Sequence, residues 1–446
     1  MNTNPVTEMM RLNNTVLPGQ NVDWLQQVRS SALSILLKKG FPHKKHEDWK
    51  YTNIQSLIEQ EYTLTDSTCN GLMSEDIEHL YLSIDEDYRI VFVNGQYSPQ
   101  LSVFNNNTAR DRPEFEINSL AKVITEQPEV LQPYLACYVD PEEHGFNALN
   151  TASINDGLYL RIFKNIQINE PIHVLYLTTA ADGLLVLPRN LILLDNHAQA
   201  TVVEHYASLG NANMMVDAVS ETMLSLGAKL EHIKIQQESI GTSHIASHTV
   251  LQQRDSKFSS TVISTGGKLV RSDIHTRLVE KGGECVLNGL YIADEMQHMD
   301  FHTFIEHAAP SCSSHQDYRG VLDDRSRAVF NGRVYVHKNA QQSNAEQSNK
   351  TLLLSSKAEM DSKPQLEIYN DDVKCSHGAT VGQLDEDMLF YLRSRGLDQQ
   401  TARSFLVKGF IGEVLQRRLT PLLRKRIEQW LSQRLNLENA EKEVLQ

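Results

Sequence analysis

The sequence predicts a mainly β protein with helical ends, and three observations carry that prediction. From about Leu158 to Leu384, short segments of alternating apolar and polar residues follow one another, each bounded by Gly, Asn, Asp or Ser. Similar lead-ins precede many of them: Asn196-His197-Ala198, Leu226-Gly227-Ala228, Lys281-Gly282-Gly283, Arg325-Ser326-Arg327. The texture on either side of this region is helical. Such a stretch fits a β-solenoid, a sandwich or a barrel. Loose repetition over more than about 200 residues favours a parallel β-helix, in which each turn buries itself against the next. The expected division is a helical and mixed N-terminal domain over 1–150, a parallel β-helix core over 151–384, and a helical C-terminal domain over 385–446.

The elements follow in order. Trp24, Leu25, Val28, Ala32, Ile35 and Leu36 recur at spacings of three and four, which predicts a helix over Asn21–Gly40. Lys38 and Lys39 suit its last turn and Gly40 its C′ position. Pro42 then opens a charged loop to Thr52, anchored by Trp49 and Tyr51. Residues 53–150 are mixed, with a helical pattern over Leu120–Leu135 interrupted by Pro128 and Pro133. Strands are expected at Leu158–Ile162, Thr201–Tyr206, Leu230–Ile235, Thr261–Ile263, Ser272–Val279, Val329–Val336 and Pro364–Tyr369. Beyond Leu384, Asp385, Glu386 and Asp387 place acid at a helix start, and Gly396 suits its end. A second helix opens at Asp398 and carries Phe405 and Phe410. A third opens at Thr420, with Pro421 at its first position.

Composition narrows the function classes. The chain has 446 residues and a net charge of −14, so its global field repels nucleic acid and anionic membranes. The basic residues Arg417, Arg418, Arg424, Lys425 and Arg426 therefore read as solvated helix faces, not as a DNA reader. No run of about 18 apolar residues exists and the first residues lack a secretory pattern, so a reducing cytoplasmic setting is expected. The cysteines at 69, 137, 285, 312 and 375 are dispersed, with no Cys-x-x-Cys, which disfavours a disulfide framework or a closed zinc site. Gly266-Gly267-Lys268-Leu269 lacks the first glycine and the hydroxyl of a phosphate loop. No nucleotide hydrolysis by this chain alone is expected.

Two constellations can carry chemistry. In an extended segment, residues i and i+2 share a face. Cys375 and His377 then present a thiol and an imidazole side by side, a soft pair able to hold iron, zinc or sulfur. The pair is half a coordination sphere, and a lone strand Cys is more often a small buried hydrophobe. His298, Asp300 and His302 form the second set, two imidazoles and a carboxylate on one strand face, followed by Glu306 and His307. A stand-alone metalloenzyme built on these three residues is the alternative function.

Family resemblance enters at the C-terminal run. Pro364-Gln-Leu-Glu-Ile-Tyr-Asn-Asp-Asp-Val-Lys-Cys-Ser-His-Gly-Ala-Thr-Val-Gly-Gln-Leu-Asp385, continued by Leu389-Phe-Tyr-Leu-Arg-Ser-Arg-Gly396, resembles the SufB/SufD family. So do Gly320-Val-Leu-Asp-Asp324, Phe330-Asn-Gly-Arg-Val334, Phe41-Pro42 and Glu47-Asp-Trp-Lys-Tyr-Thr52. Cys-Ser-His-Gly-Ala-Thr favours the SufD branch, because SufB-like chains carry an acidic segment with a Glu-His pair after the corresponding Cys. The resemblance implies a right-handed parallel β-helix flanked by helical domains. It also implies a non-catalytic subunit that assembles iron–sulfur clusters with a SufB-like subunit and the ATPase SufC. His377, and secondarily Cys375, would be ligands of a nascent cluster at the SufB seam. The cluster would be transient, with nothing held tightly by the isolated chain, which can form a homodimer. Leu389, Phe390, Tyr391, Arg393, Arg395, Phe405 and Phe410 would lie on the helices that dock SufC.

Overall fold

The computed structural model describes residues 17–64, 71–83, 87–104, 114–418 and 421–434. Cys69, Thr420 and the side chains of Arg417, Arg418 and Leu422 lie outside what is described. The architecture is a β-solenoid of two facing sheets, of 11 and 10 strands among the described residues. Successive strands alternate between the sheets, so strands adjacent in a sheet are one coil apart in sequence. Lys229 stands beside Gln199, Lys257 beside Lys229, Glu284 beside Lys257 and Ser313 beside Glu284, all in parallel register. Each coil thus takes roughly 30 residues, the period of a solenoid repeat. The sheets also reach back before residue 151: Tyr88–Val93 pairs in parallel with Ile172–Thr178.

The corners explain the recurring lead-ins. His197 (φ 61°), Gly227 (65°), Asp255 (53°), Gly282 (80°), Ser311 (56°) and Gln342 (58°) all sit in the left-handed region. Each donates its N–H to a carbonyl one coil further on, those of Leu226, Arg254, Lys281, Pro310, Gln341 and Asp372. One such residue per coil turns the chain from sheet to sheet, and none is β-branched, as that backbone requires.

Inward-facing residues form stacks along the solenoid. Phe92, Tyr176 and Tyr206 stack with centroids 5.0 and 4.7 Å apart, and Tyr318 and Phe330 meet at 4.9 Å. The middle of the interior is charged. Glu204 lies 3.3 Å from His232, Glu238 lies 2.8 Å from His244, and Lys234 lies 2.9 Å from the other nitrogen of His244. Burial alone would raise the Glu204 carboxyl, but His232 holds it at about 2.

Helices cover the outer faces. The helix Asp23–Lys39 ends at Gly40, whose φ is 69° and whose N–H donates to Leu36, as its sequence predicts. Leu36, Phe41, Trp49 and Phe146 pack on Met215, Ile245 and Leu269 of the 10-stranded sheet. The tail helices Gln399–Arg418 and Pro421–Arg434 lay Val407, Ile411, Leu415, Leu423, Ile427 and Leu431 over Val203, Ile233, Ile263 and Val321 of the other sheet. No helix among the described residues is long and apolar enough to cross a membrane.

Candidate functional site

Both sheets stop at the same end of the solenoid. Glu359–Ile368 is the last strand of one sheet and Val373–Gln383 the last of the other. Each pairs on one side only among the described residues, so a row of backbone donors and acceptors faces outward. The N-terminal cover reaches the strand Glu359–Ile368 through Glu47 and Lys363, but the strand Val373–Gln383 is exposed along nearly its whole length. Ile368, Tyr369 and Val381 are large apolar side chains left exposed there, at 40%, 51% and 48%.

Cys375 and His377 stand on this edge strand. Their register partners are Ala345 and Gln347, both buried and both inward-facing, so thiol and imidazole share the face that looks into the lumen. Cys375 is half-buried against Val334, Val336, Ala340 and Ala345. Burial pushes its thiol up, which disfavours the thiolate that binds metal until a cation arrives to lower it. His377 is exposed. Ser376 and Lys374 point the other way, as the alternation predicts.

His298, Asp300 and His302 lie elsewhere, on the outer face of the 10-stranded sheet and under the loop Glu47–Thr52. Their groups are engaged with one another and with that loop. Thr52 donates to Asp300 Oδ2 at 2.6 Å and lies 2.9 Å from His298 Nε2. Arg271 donates to the same oxygen at 2.9 Å and to the Asp48 carbonyl at 2.6 Å. His302 Nε2 is 2.9 Å from Asp300 Oδ1. The Arg271 guanidinium also lies 3.8 Å over the Trp49 ring. Burial alone would raise the Asp300 carboxyl, but His302 and Arg271 hold it far below the usual carboxylate range. The arrangement ties the N-terminal loop to the solenoid. Among the described residues, no group of three or more His, Cys, Asp or Glu side chains is placed to hold a metal ion.

The C-terminal helices divide the remaining expected contact residues. Phe390, Tyr391 and Phe405 are exposed, at 73%, 56% and 48%, and Met388 joins them at 55%. Arg393 and Arg395 are also exposed. Leu389 is buried. Phe410 is half-buried against the solenoid, where its carbonyl accepts from Arg319 at 2.9 Å. The helix Glu386–Ser394 is capped by Asp385, which accepts from the N–H groups of Asp387 and Met388. Its exposed apolar side chains form an uncovered patch beside the open end of the solenoid.

Sequence reasoning missed several residues. Arg271 and Thr52 connect segments more than 200 positions apart, and no local pattern marks them. The interior charges escaped because both faces of every central strand are covered, so alternation does not say which face is inside. Gln347, buried below His377, was also passed over.

Residues 3–174 match the model of the SufBD protein N-terminal region. Residues 176–410 match that of the SUF system FeS cluster assembly SufBD core domain. An iron-sulfur cluster assembly SufBD family protein of Synechocystis is 34% identical, over 94% of this chain and 92% of its own. The iron-sulfur cluster assembly protein SufD of Escherichia coli is 31% identical, over 90% and 91%. The protein of that name in Bacillus subtilis is 26% identical, over 89% and 90%. Matched over residues 3–410 by the two family models and over nine-tenths of its length by relatives of similar size, the chain belongs to the SufBD family of the SUF iron–sulfur cluster assembly system.

Proposed function

We propose that this chain is a non-catalytic subunit of an iron–sulfur cluster assembly complex. It pairs through the open end of its solenoid with a SufB-like subunit. At that seam it offers His377, and secondarily Cys375, to the nascent cluster, which is cargo and not a resident cofactor. Its C-terminal helices dock a SufC-like ATPase. The observation that carries this reading is the edge strand Val373–Gln383, which presents a thiol and an imidazole on a free sheet edge beside exposed apolar side chains.

The physical chemistry runs in one direction. A free parallel edge is a template for a further strand. Burying the exposed half of Ile368, Tyr369 and Val381 against a partner contributes about 1 kcal/mol each. Two soft donors are too few for a cluster, so the remaining ligands must come from across the seam. The raised Cys375 thiol favours His377 as the readier donor, since a neutral imidazole binds without first losing a proton. The same edge allows two copies of the isolated chain to pair when the partner is missing.

Co-expression with the SufB-like and SufC-like proteins of the same cell tests both halves. A stoichiometric complex is expected. His377→Ala should leave that complex intact while the visible absorbance of its cluster falls at least tenfold. Recovery of the chain alone would sink the assembly reading, and unchanged absorbance would remove His377 from the site.

A further inference from the structure

We infer that Gln347 positions His377, accepting one ring N–H of the imidazole through its carboxamide oxygen. The inference rests on the reading of His377 as a cluster ligand and extends it to the layer beneath.

One register column on the inward face runs Gln316, Gln347, His377. Gln347 is 2% exposed, yet neither its Nε2 nor its Oε1 has a hydrogen-bond partner among the described residues. Leaving a buried polar group unpaired costs on the order of 1–3 kcal/mol, and a Met would fill the same volume at no such cost. Buried side-chain amides in native proteins nearly always have a partner, so this one points to a neighbouring group within reach of a change of side-chain rotamer.

The geometry leaves little choice of that group. Across the lumen the wall is Gly332: a Cβ there would lie 1.5 Å from Gln347 Nε2, so the carboxamide occupies the space of the missing side chain. Below, the Gln316 oxygen already accepts from Thr303 at 2.8 Å, and its Nε2, unpartnered as well, makes no hydrogen bond to Gln347. Above, the next residue in the column is the exposed His377. Adjacent strands run about 4.8 Å apart, a gap that a carboxamide and an imidazole close with one hydrogen bond. An imidazole ligates iron through its unprotonated nitrogen. Its other N–H then needs a fixed acceptor to set tautomer and ring plane. A carboxamide oxygen supplies that acceptor without adding charge to the lumen.

The test uses Gln347→Met, which removes the acceptor at nearly constant volume, and Gln347→Glu, which keeps one. Both are made in the full chain, beside His377→Ala. The first readout is cluster absorbance in the co-purified complex. The second is the His377 tautomer in the metal-free full chain, read from ring nitrogen shifts after histidine-selective ¹⁵N labelling. His377→Ala identifies the signal. Gln347→Met should lower cluster yield about tenfold, the usual cost of losing the group that orients a ligating histidine, and Gln347→Glu should recover most of it. The parent should show one tautomer and Gln347→Met a mixture. Equal yield and an equal tautomer ratio in Gln347→Met and parent overturn the inference. So does equal loss in both variants with the tautomer unmoved, which marks a packing role. If His377→Ala keeps full yield, the ligand reading falls instead, and the tautomer comparison alone decides whether Gln347 holds the ring.

Discussion

Two strands of this solenoid carry metal-type side chains at the same i, i+2 spacing and meet opposite surroundings. At His298, Asp300 and His302 a loop closes over the sheet, and Thr52, Arg271 and Asp48 complete the hydrogen bonds. At Cys375 and His377 the sheet ends and nothing described covers the edge. The first set fastens the N-terminal domain to the solenoid, and the second is left for another molecule. Spacing alone does not separate a structural network from a binding site. What separates them is whether the neighbouring coil and its cover satisfy the polar atoms.

The sharpest way to break that contrast is to remove one acid or one imidazole. Asp300→Ala leaves Arg271 paired with Asp273 at 3.0 Å but takes an acceptor from Arg271, Thr52 and His302, and should destabilise the chain by about 1–3 kcal/mol. His377→Ala should change stability by less than about 0.5 kcal/mol, as exposed substitutions do. Urea unfolding of the isolated chain measures both. A large loss from His377→Ala, or none from Asp300→Ala, would erase the distinction.

A pH titration sharpens it further. Burial lowers the His144 and His307 imidazoles to about 4 from an ordinary 6.5. Below pH 6.5 the unfolded chain binds protons that the folded chain refuses, so the stability these residues contribute is complete above 6.5. It is lost progressively as pH falls to about 4, by up to about 3 kcal/mol for each. His307 sits 2.8 Å from Ser314 in the interior. His307→Gln keeps a partner for that hydroxyl and should flatten this part of the unfolding midpoint against pH. An unchanged slope would show that His307 is protonated in the native state.

These effects also mark what the sequence makes legible. Alternation and turn residues suffice to find the strands, because each strand is framed locally by its corner. Gly227 and Gly282 announce corners by composition. Gln342 does the same job with a side chain that carries no such signal. The free edge is foreshadowed by the soft pair on Val373–Gln383 and by the family motif around it. The fate of His298, Asp300 and His302 was not readable, since Thr52 reaches His298 and Asp300 from 246 and 248 positions away. The division of the tail was half readable: periodicity finds the stripe Met388, Leu389, Tyr391 and Leu392, but only the packed structure shows that Leu389 turns inward while Met388 and Tyr391 stay exposed.

Gly332→Ala probes the floor of the open end with a smaller effect. A methyl group there must displace the Gln347 carboxamide, and Phe330 Cε1 lies only 3.0 Å from the added carbon. Overpacking of this kind costs about 1–3 kcal/mol. Pairing Gly332→Ala with Gln347→Ala, which vacates the space, should recover part of that loss. Strictly additive effects would place the two residues out of contact.

The smallest effect on stability belongs to the tail patch, and there the contrast between satisfied and unsatisfied surface becomes a statement about partners. Phe390 and Phe405 are exposed and bury little on folding, so Phe390→Ala and Phe405→Ala should each shift the unfolding midpoint by less than about 0.5 kcal/mol. Val407 and Ile411, on the packed face of the helix Gln399–Arg418 that also carries Phe405, hold that helix to the solenoid. Ile411→Ala should cost about 2–5 kcal/mol. Binding reverses the order. If the patch docks the ATPase, Phe390→Ala removes a side chain central to an interface and should weaken capture of that partner at least tenfold. The Ile411→Ala chain, assayed where it remains folded, should bind nearly as the parent does. Equal capture by Phe390→Ala, Phe405→Ala and parent would leave these rings as ordinary exposed surface and move the docking site off the exposed faces of both helices, Glu386–Ser394 and Gln399–Arg418.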